Sequence, residues 1–124
     1  MKTTAEVAQQ LVHNCENPVQ REGMSDLYHP DCVSVEAMAP PGSSPEYKGV
    51  AAIKAKHEWW EANFEVHSTS ADGPYINGDR FSVIFGMDVT EKASGERTQM
   101  QEVALYEVRD GQIVREEFQM KPMG

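Results

Sequence analysis

Basic residues are scarce in this chain: 11 lysines and arginines stand against 20 aspartates and glutamates, a formal net charge of −9 at pH 7. Such a surface repels phosphate backbones and anionic lipid heads, so neither nucleic acid nor membrane is an expected partner. Also missing is any run of about 18 apolar residues able to cross a bilayer. The start, Met1-Lys2-Thr3-Thr4, leads directly into an amphipathic pattern without a hydrophobic signal core, so the expected location is the cytoplasm. Cysteine is limited to Cys15 and Cys32, which lack metal-site spacing and are expected as free, buried thiols. There is no phosphate-cradling glycine loop, no Gly-x-Ser-x-Gly, no His-Glu-x-x-His and no Cys-x-x-Cys, and the four histidines are scattered. No metal and no cofactor is therefore expected.

What the chain does have is turn chemistry at regular intervals. From Val66 to Met120 it reads as four consecutive strands, roughly Val66 to Tyr75, Arg80 to Thr90, Gln99 to Val108 and Ile113 to Met120. Asn77-Gly78, Ser94-Gly95 and Asp110-Gly111 supply the positive φ that tight hairpins require. The N-terminal half reads as helices. Thr3 or Thr4 caps a first helix to about Asn14, with Ala8, Leu11, Val12 and Cys15 at helical spacing, and Asn17-Pro18 ends it. A second, from about Val19 to Tyr28, is broken by His29-Pro30-Asp31 before a short strand Cys32 to Ala37. The stretch Ala39 to Pro45 is a rigid surface loop. After Gly49 a third helix reaches about Asn63, with Val50, Ile53, His57, Trp60 and Phe64 on one stripe. A length of 124 residues suits one core, which predicts a single domain over 1–124.

Three segments carry a likeness: Leu27-Tyr28-His29-Pro30-Asp31-Cys32-Val33-Ser34-Val35-Glu36, then Gly49-Val50-Ala51-Ala52-Ile53, then Val103 through Val114. In this order and spacing the chain resembles the SnoaL-like branch of the nuclear transport factor 2-like superfamily, the cone fold shared with ketosteroid isomerases and limonene epoxide hydrolases. The resemblance implies an α+β fold: a strongly curved antiparallel sheet wrapped around three N-terminal helices, the NTF2-like or cystatin-like cone, enclosing an apolar pocket. It also implies a homodimer and a small apolar molecule as ligand. Of the isomerase groups, the general base falls on Ala37 and the oxyanion tyrosine near Cys15, so both are absent, whereas the protonated acid of the penultimate strand falls on Glu102.

Glu102 is the principal candidate. If Glu102, Ala104, Tyr106 and Val108 face one way, Gln101, Val103, Leu105 and Glu107 face the other, and both faces are partly apolar, so alternation leaves the direction open. Inside an apolar cavity the carboxyl would have its pKa raised and could serve as acid, base or hydrogen-bond donor. Glu36 is the second catalytic candidate; alternation with Val33 and Val35 inside puts it outside unless a bulge turns it. On the last strand one of Glu116 and Glu117 must face in. A three-residue Arg109-Asp110-Gly111 loop puts Glu116 with Phe118, Met120, Ala104 and Glu102; a two-residue loop brings Glu117 there instead. His57, on the apolar stripe, reads as a pocket base or as a hydrogen-bonded core histidine. Trp60 reads as core, while Trp59 lines the pocket mouth or a subunit contact. Tyr106, Glu116, Phe118 and Met120 complete the expected ligand-binding set with Trp60 and His57.

Two functions of different class remain open. One is a cofactor-independent isomerase, cyclase or hydrolase acting on a hydrophobic carbonyl or polycyclic compound through carboxyl acid–base chemistry. The other is a non-catalytic domain that binds a small apolar ligand or dimerises. Apolar residues on both faces of the strands Arg80 to Thr90 and Gln99 to Val108 predict that a homodimer covers the outer face of the sheet.

Overall fold

The first helix begins where the sequence offers a capping box. Thr3 Oγ1 accepts from the Glu6 backbone N–H at 3.1 Å while Glu6 Oε1 accepts from the Thr3 N–H at 3.0 Å, which satisfies two donors a helix start would otherwise leave open. The computed structural model describes residues 1–16, 24–39 and 41–121. In it α1 (Thr4–Glu16) buries Val7, Ala8, Leu11 and Val12. A single helical turn, α2 (Met24–Leu27), precedes β1 (Tyr28–Val35). Of the expected second helix, residues 17–23 lie outside the described residues and the remainder amounts to that one turn. Among the described residues there are thus two long helices and this single turn, and a third long helix is not confirmed.

β1 starts four residues earlier than expected and takes in His29-Pro30-Asp31 as strand. The exposed loop after it returns as β2 (Glu46–Lys48), a short strand that escaped the sequence reading because three residues cannot display a period. Gly49, at φ 87°, donates its N–H to Cys32 O at 2.8 Å and opens α3 (Val50–Asn63). The meander follows as β3 (Phe64–Asn77), β4 (Arg80–Glu91), β5 (Arg97–Arg109) and β6 (Gln112–Gln119).

The six strands form one unclosed sheet in the order β2-β1-β6-β5-β4-β3. β3 through β6 pair antiparallel as expected, but β1 lies parallel to β6, so the sheet is mixed and not wholly antiparallel. Hairpin signals reveal only neighbours in sequence; β1 and β6 meet because the meander leaves the free edge of β6 beside the first strand. The sheet curves, and β3 breaks register twice against β4, between Val66 and Ser68 and between Asp72 and Tyr75. At the second break Gly73 has φ 136°, and a Cβ there would stand 3.0 Å from Ser82 O, so the bend needs glycine.

The core lies between the helices and one sheet face. Val7, Ala8, Leu11 and Val12 of α1 meet Ile53 of α3 and the inward side chains Phe81, Val83, Ala104, Tyr106, Val108 and Ile113. Each fully buried aliphatic side chain contributes about 1.5–3 kcal/mol. Phe81 stacks on Tyr106 with ring centroids 4.6 Å apart. This packing settles which way β5 faces: Ala104 and Tyr106 point in, and Glu102 therefore points in with them.

Candidate functional site

Three strands deliver three carboxyls to the covered face of the sheet. Glu102 comes from β5, Glu116 from β6, and Glu36 from the residue just past β1. Strict alternation carries Glu36 inward with Cys32 and Ser34, both fully buried, while Val33 and Val35 are only half-buried. The expectation that the two valines point inside is thus reversed, and no bulge is needed at Glu36 itself.

Glu116 reaches the same place by a route that loop length alone does not reveal. The β5–β6 loop is the two-residue Asp110-Gly111, with Arg109 opposite Gln112 and φ values of 51° and 76°. Uninterrupted pairing from that turn would put Glu117 inside. Instead the register slips between Glu107 and Val108, where Glu107 faces Arg115 and Val108 faces Ile113, so Val114 is an extra, bulged residue. The slip sets Glu116 opposite Tyr106 and Phe118 opposite Ala104. Glu117 is left outside, 3.2 Å from Arg115.

Glu116 is 1% exposed, and its Oε1 has no hydrogen-bond partner among the described residues. Burial pushes its carboxyl up to about 7; nearby Lys56 opposes that, Glu36 adds to it, and hydrogen bonds from the Ser34 and Tyr28 hydroxyls oppose it. Glu102 is half-buried, and burial followed by repulsion from Glu36 also pushes it up to about 7, against the pull of Lys56. Near neutral pH both carboxyls are therefore poised between their protonated and charged forms. Burial holds the nearby Tyr28 and Tyr106 well above their ordinary range and pushes the Cys32 thiol up to about 12.

Lys56, which the sequence reading passed over, ties the cluster together. Its Nζ lies 2.5 Å from Glu36 Oε1 and donates to Ser34 Oγ at 2.8 Å, with 11% of its side chain exposed. The ammonium also stands over the rings of Tyr47 at 5.3 Å and Phe118 at 5.1 Å. The signal was legible: Lys56 is three residues from Ile53 and four from Trp60, hence on their side of the helix. Choosing His57 for the stripe rotated α3 by one residue. His57 is exposed, so it is not a core histidine, and α3 fully buries only Ile53.

Trp60 is half-buried and stacks on Phe64 at 4.0 Å, while Trp59 is 61% exposed. Trp60 therefore is not fully core. Tyr106 is buried, and Phe118 and Met120 are half-buried. An open depression of about 550 Å³ is lined by Glu36, Met38, Phe118 and Met120 among others, so that of the three carboxyls Glu36 borders it. Cys32 is buried as expected, whereas Cys15 is exposed. No group of three or more His, Cys, Asp or Glu side chains suited to a metal ion is found among the described residues. Among them, too, no helix is long and apolar enough to cross a membrane.

The profile of the SnoaL-like domain matches residues 2–120. Among solved structures, the chain is similar to a candidate SnoaL-like polyketide cyclase, also labelled a carbohydrate phosphatase, from Mesorhizobium loti. The two are 39% identical over 94% of this chain and 98% of the other, with a TM-score of 0.86. A candidate isomerase from Bacillus subtilis is 21% identical over 95% of this chain and 83% of its own, with a TM-score of 0.68. A protein of unknown function with a cystatin-like fold from Xanthomonas campestris is 15% identical over 98% and 92%, with a TM-score of 0.74. These last two likenesses show the fold alone. A comparison with functionally curated proteins finds no match.

Proposed function

The chain belongs to the SnoaL-like domain family, and from that premise we propose that it is a cofactor-independent enzyme that moves a proton beside the carbonyl of a hydrophobic, cyclic small molecule. The observation that supports this reading is the pair of carboxyls, Glu102 and Glu116, held near 7 on one covered face beside the Glu36–Lys56 ion pair. A group whose pKa lies near the working pH is at once present in the right form and able to give or take a proton. Glu102, half-buried, is the principal acid or base. Glu36, already bound to Lys56, is the charged neighbour that keeps a proton on Glu102. Glu116 offers its unpartnered Oε1 to a polar group of the ligand. Tyr106, Phe118, Met120 and Trp60 provide the apolar wall, and the ligand enters by the depression at Glu36. The likeness to a candidate polyketide cyclase supports a polycyclic carbonyl compound as the substrate class.

Proton transfer can be followed without knowing the natural substrate. A panel of cyclic and polycyclic ketones in D₂O, monitored by NMR, reports exchange of the hydrogens next to the carbonyl. The wild-type chain is expected to accelerate exchange for at least one of them, and Glu102→Gln to slow it by about 10²–10⁴-fold with affinity retained. Equal rates for the two proteins would remove Glu102 from the chemistry. Ligand binding with no exchange across the panel would favour a binding domain.

We also propose that the protein is a homodimer joined through the outer face of its sheet. Tyr75 and Leu105 are 53% and 38% exposed on that face, and Ile84 and Val103 beside them are only half-buried.

A further inference from the structure

Lys56 takes no part in the proton transfer proposed above, yet it makes an ion pair, a hydrogen bond and two ring contacts. From α3 it reaches across to four strands. Cys32, Ser34 and Glu36 face it from β1 and the residue after it, Tyr47 from β2, Glu102 from β5, and Glu116 and Phe118 from β6, while Tyr28 and Tyr106 lie around Glu116. Two consequences follow from its hydrogen bonds. Because Ser34 Oγ accepts from the ammonium at 2.8 Å, the serine hydrogen is directed away from it and toward Glu116. That bond and the one from Tyr28 leave Oε1 of Glu116 as the open oxygen. Secondly, the ammonium holds the Glu36 carboxylate against itself, so the nearest negative charge to Glu102 is fixed in place and partly balanced. Tyr47 and Phe118 flank the ammonium with ring faces, which favour a cation there and shield it from water.

We propose that Lys56 is the positioning residue of this site: by binding Glu36 and turning the Ser34 hydroxyl onto Glu116, its charge decides which carboxyls of the cluster carry the protons. The inference rests on the acid–base reading and deepens it. Without the lysine, three carboxyls would share one covered face with no counter-ion, and each ionisation would oppose the next. With it, the cluster holds one paired carboxylate and two carboxyls that exchange protons near neutrality.

The test is a carboxyl ¹³C NMR titration of the ligand-free chain between pH 4 and 10, comparing wild type with Lys56→Met, Lys56→Arg and Glu36→Gln. The buried tyrosines and Cys32 stay neutral over most of this range, which leaves the carboxyls as the signals that move. In Lys56→Met the midpoint of the last carboxyl to ionise is expected to rise by about one pH unit or more, a tenfold change in the proton equilibrium. Lys56→Arg, which keeps the charge, is expected to restore the wild-type titration. Glu36→Gln is expected to lower the Glu102 and Glu116 midpoints, because it removes the repelling charge and frees the ammonium. Unmoved midpoints in folded Lys56→Met, or an equal rise in Lys56→Arg, would overturn the proposal and make Lys56 a packing group. If Lys56→Met does not fold, Glu36→Gln decides: a fall supports the proposal, and no change or a rise overturns it. Since no substrate enters the titration, its failure is distinguishable from failure of the ketone exchange.

Discussion

Replacing Glu116 by glutamine should make the protein more stable in alkali and change little in acid. In the folded chain burial raises this carboxyl from its ordinary 4.5 to about 7. Between those values the native state holds a proton that the unfolded chain has released, so stability falls as pH rises. The stabilising contribution is fully present below 4.5 and is lost as pH climbs through 7. At about 1.4 kcal/mol per pH unit, the loss by pH 8 is about 3 kcal/mol. Glutamine has no proton to lose, its oxygen can still accept from Ser34 and Tyr28, and its amide occupies the place of the unpartnered Oε1. Urea titrations at pH 5 and pH 8 measure the difference directly. At pH 5 the two proteins should agree within about 1 kcal/mol, the usual worth of one neutral hydrogen bond. At pH 8 Glu116→Gln should lead by about 3 kcal/mol, a midpoint about 1–3 M higher for a chain of this size. Glu102 gives both proteins the same residual slope and so drops out of the comparison. Loss of stability from pH 5 to 8 as steep in the variant as in wild type would refute the assignment of Glu116 as a buried, proton-bearing carboxyl.

Other consequences are as open to measurement. Phe81→Ala removes a side chain 2% exposed and stacked on Tyr106, so denaturation should show a loss of about 3–5 kcal/mol; Trp60→Ala, half-buried on Phe64, should cost less. Sedimentation at micromolar concentration should give a species of twice 13.9 kDa, and Leu105→Glu should return it to one chain; a wild-type monomer would exclude the outer-face dimer. Thr3→Ala should cost about 1 kcal/mol by removing half of the capping box, and thermal unfolding unchanged from wild type would show that the helix start is frayed in solution.

Much of this protein was written locally. The Thr3 to Glu6 box, the stripe of α1, the hairpins at Asn77-Gly78 and Asp110-Gly111 and the limits of α3 are all settled by residues a few positions apart, and the sequence alone determined them. The inward direction of Glu102 needed more, because both faces of β5 carry apolar side chains and only the packing of Tyr106 on Phe81 breaks the tie. Tertiary structure decided the rest of the site. The bulge at Val114 placed Glu116 inside despite a two-residue turn, and a bulge leaves no local mark when the residue beside it is an ordinary valine. The parallel meeting of β1 with β6 set Ser34 beside Glu116, a pairing between segments about eighty residues apart. Lys56 rather than His57 entered the cluster because a one-residue rotation of α3 costs little in apolar burial, while three inward carboxyls reward the helix face that brings them a cation.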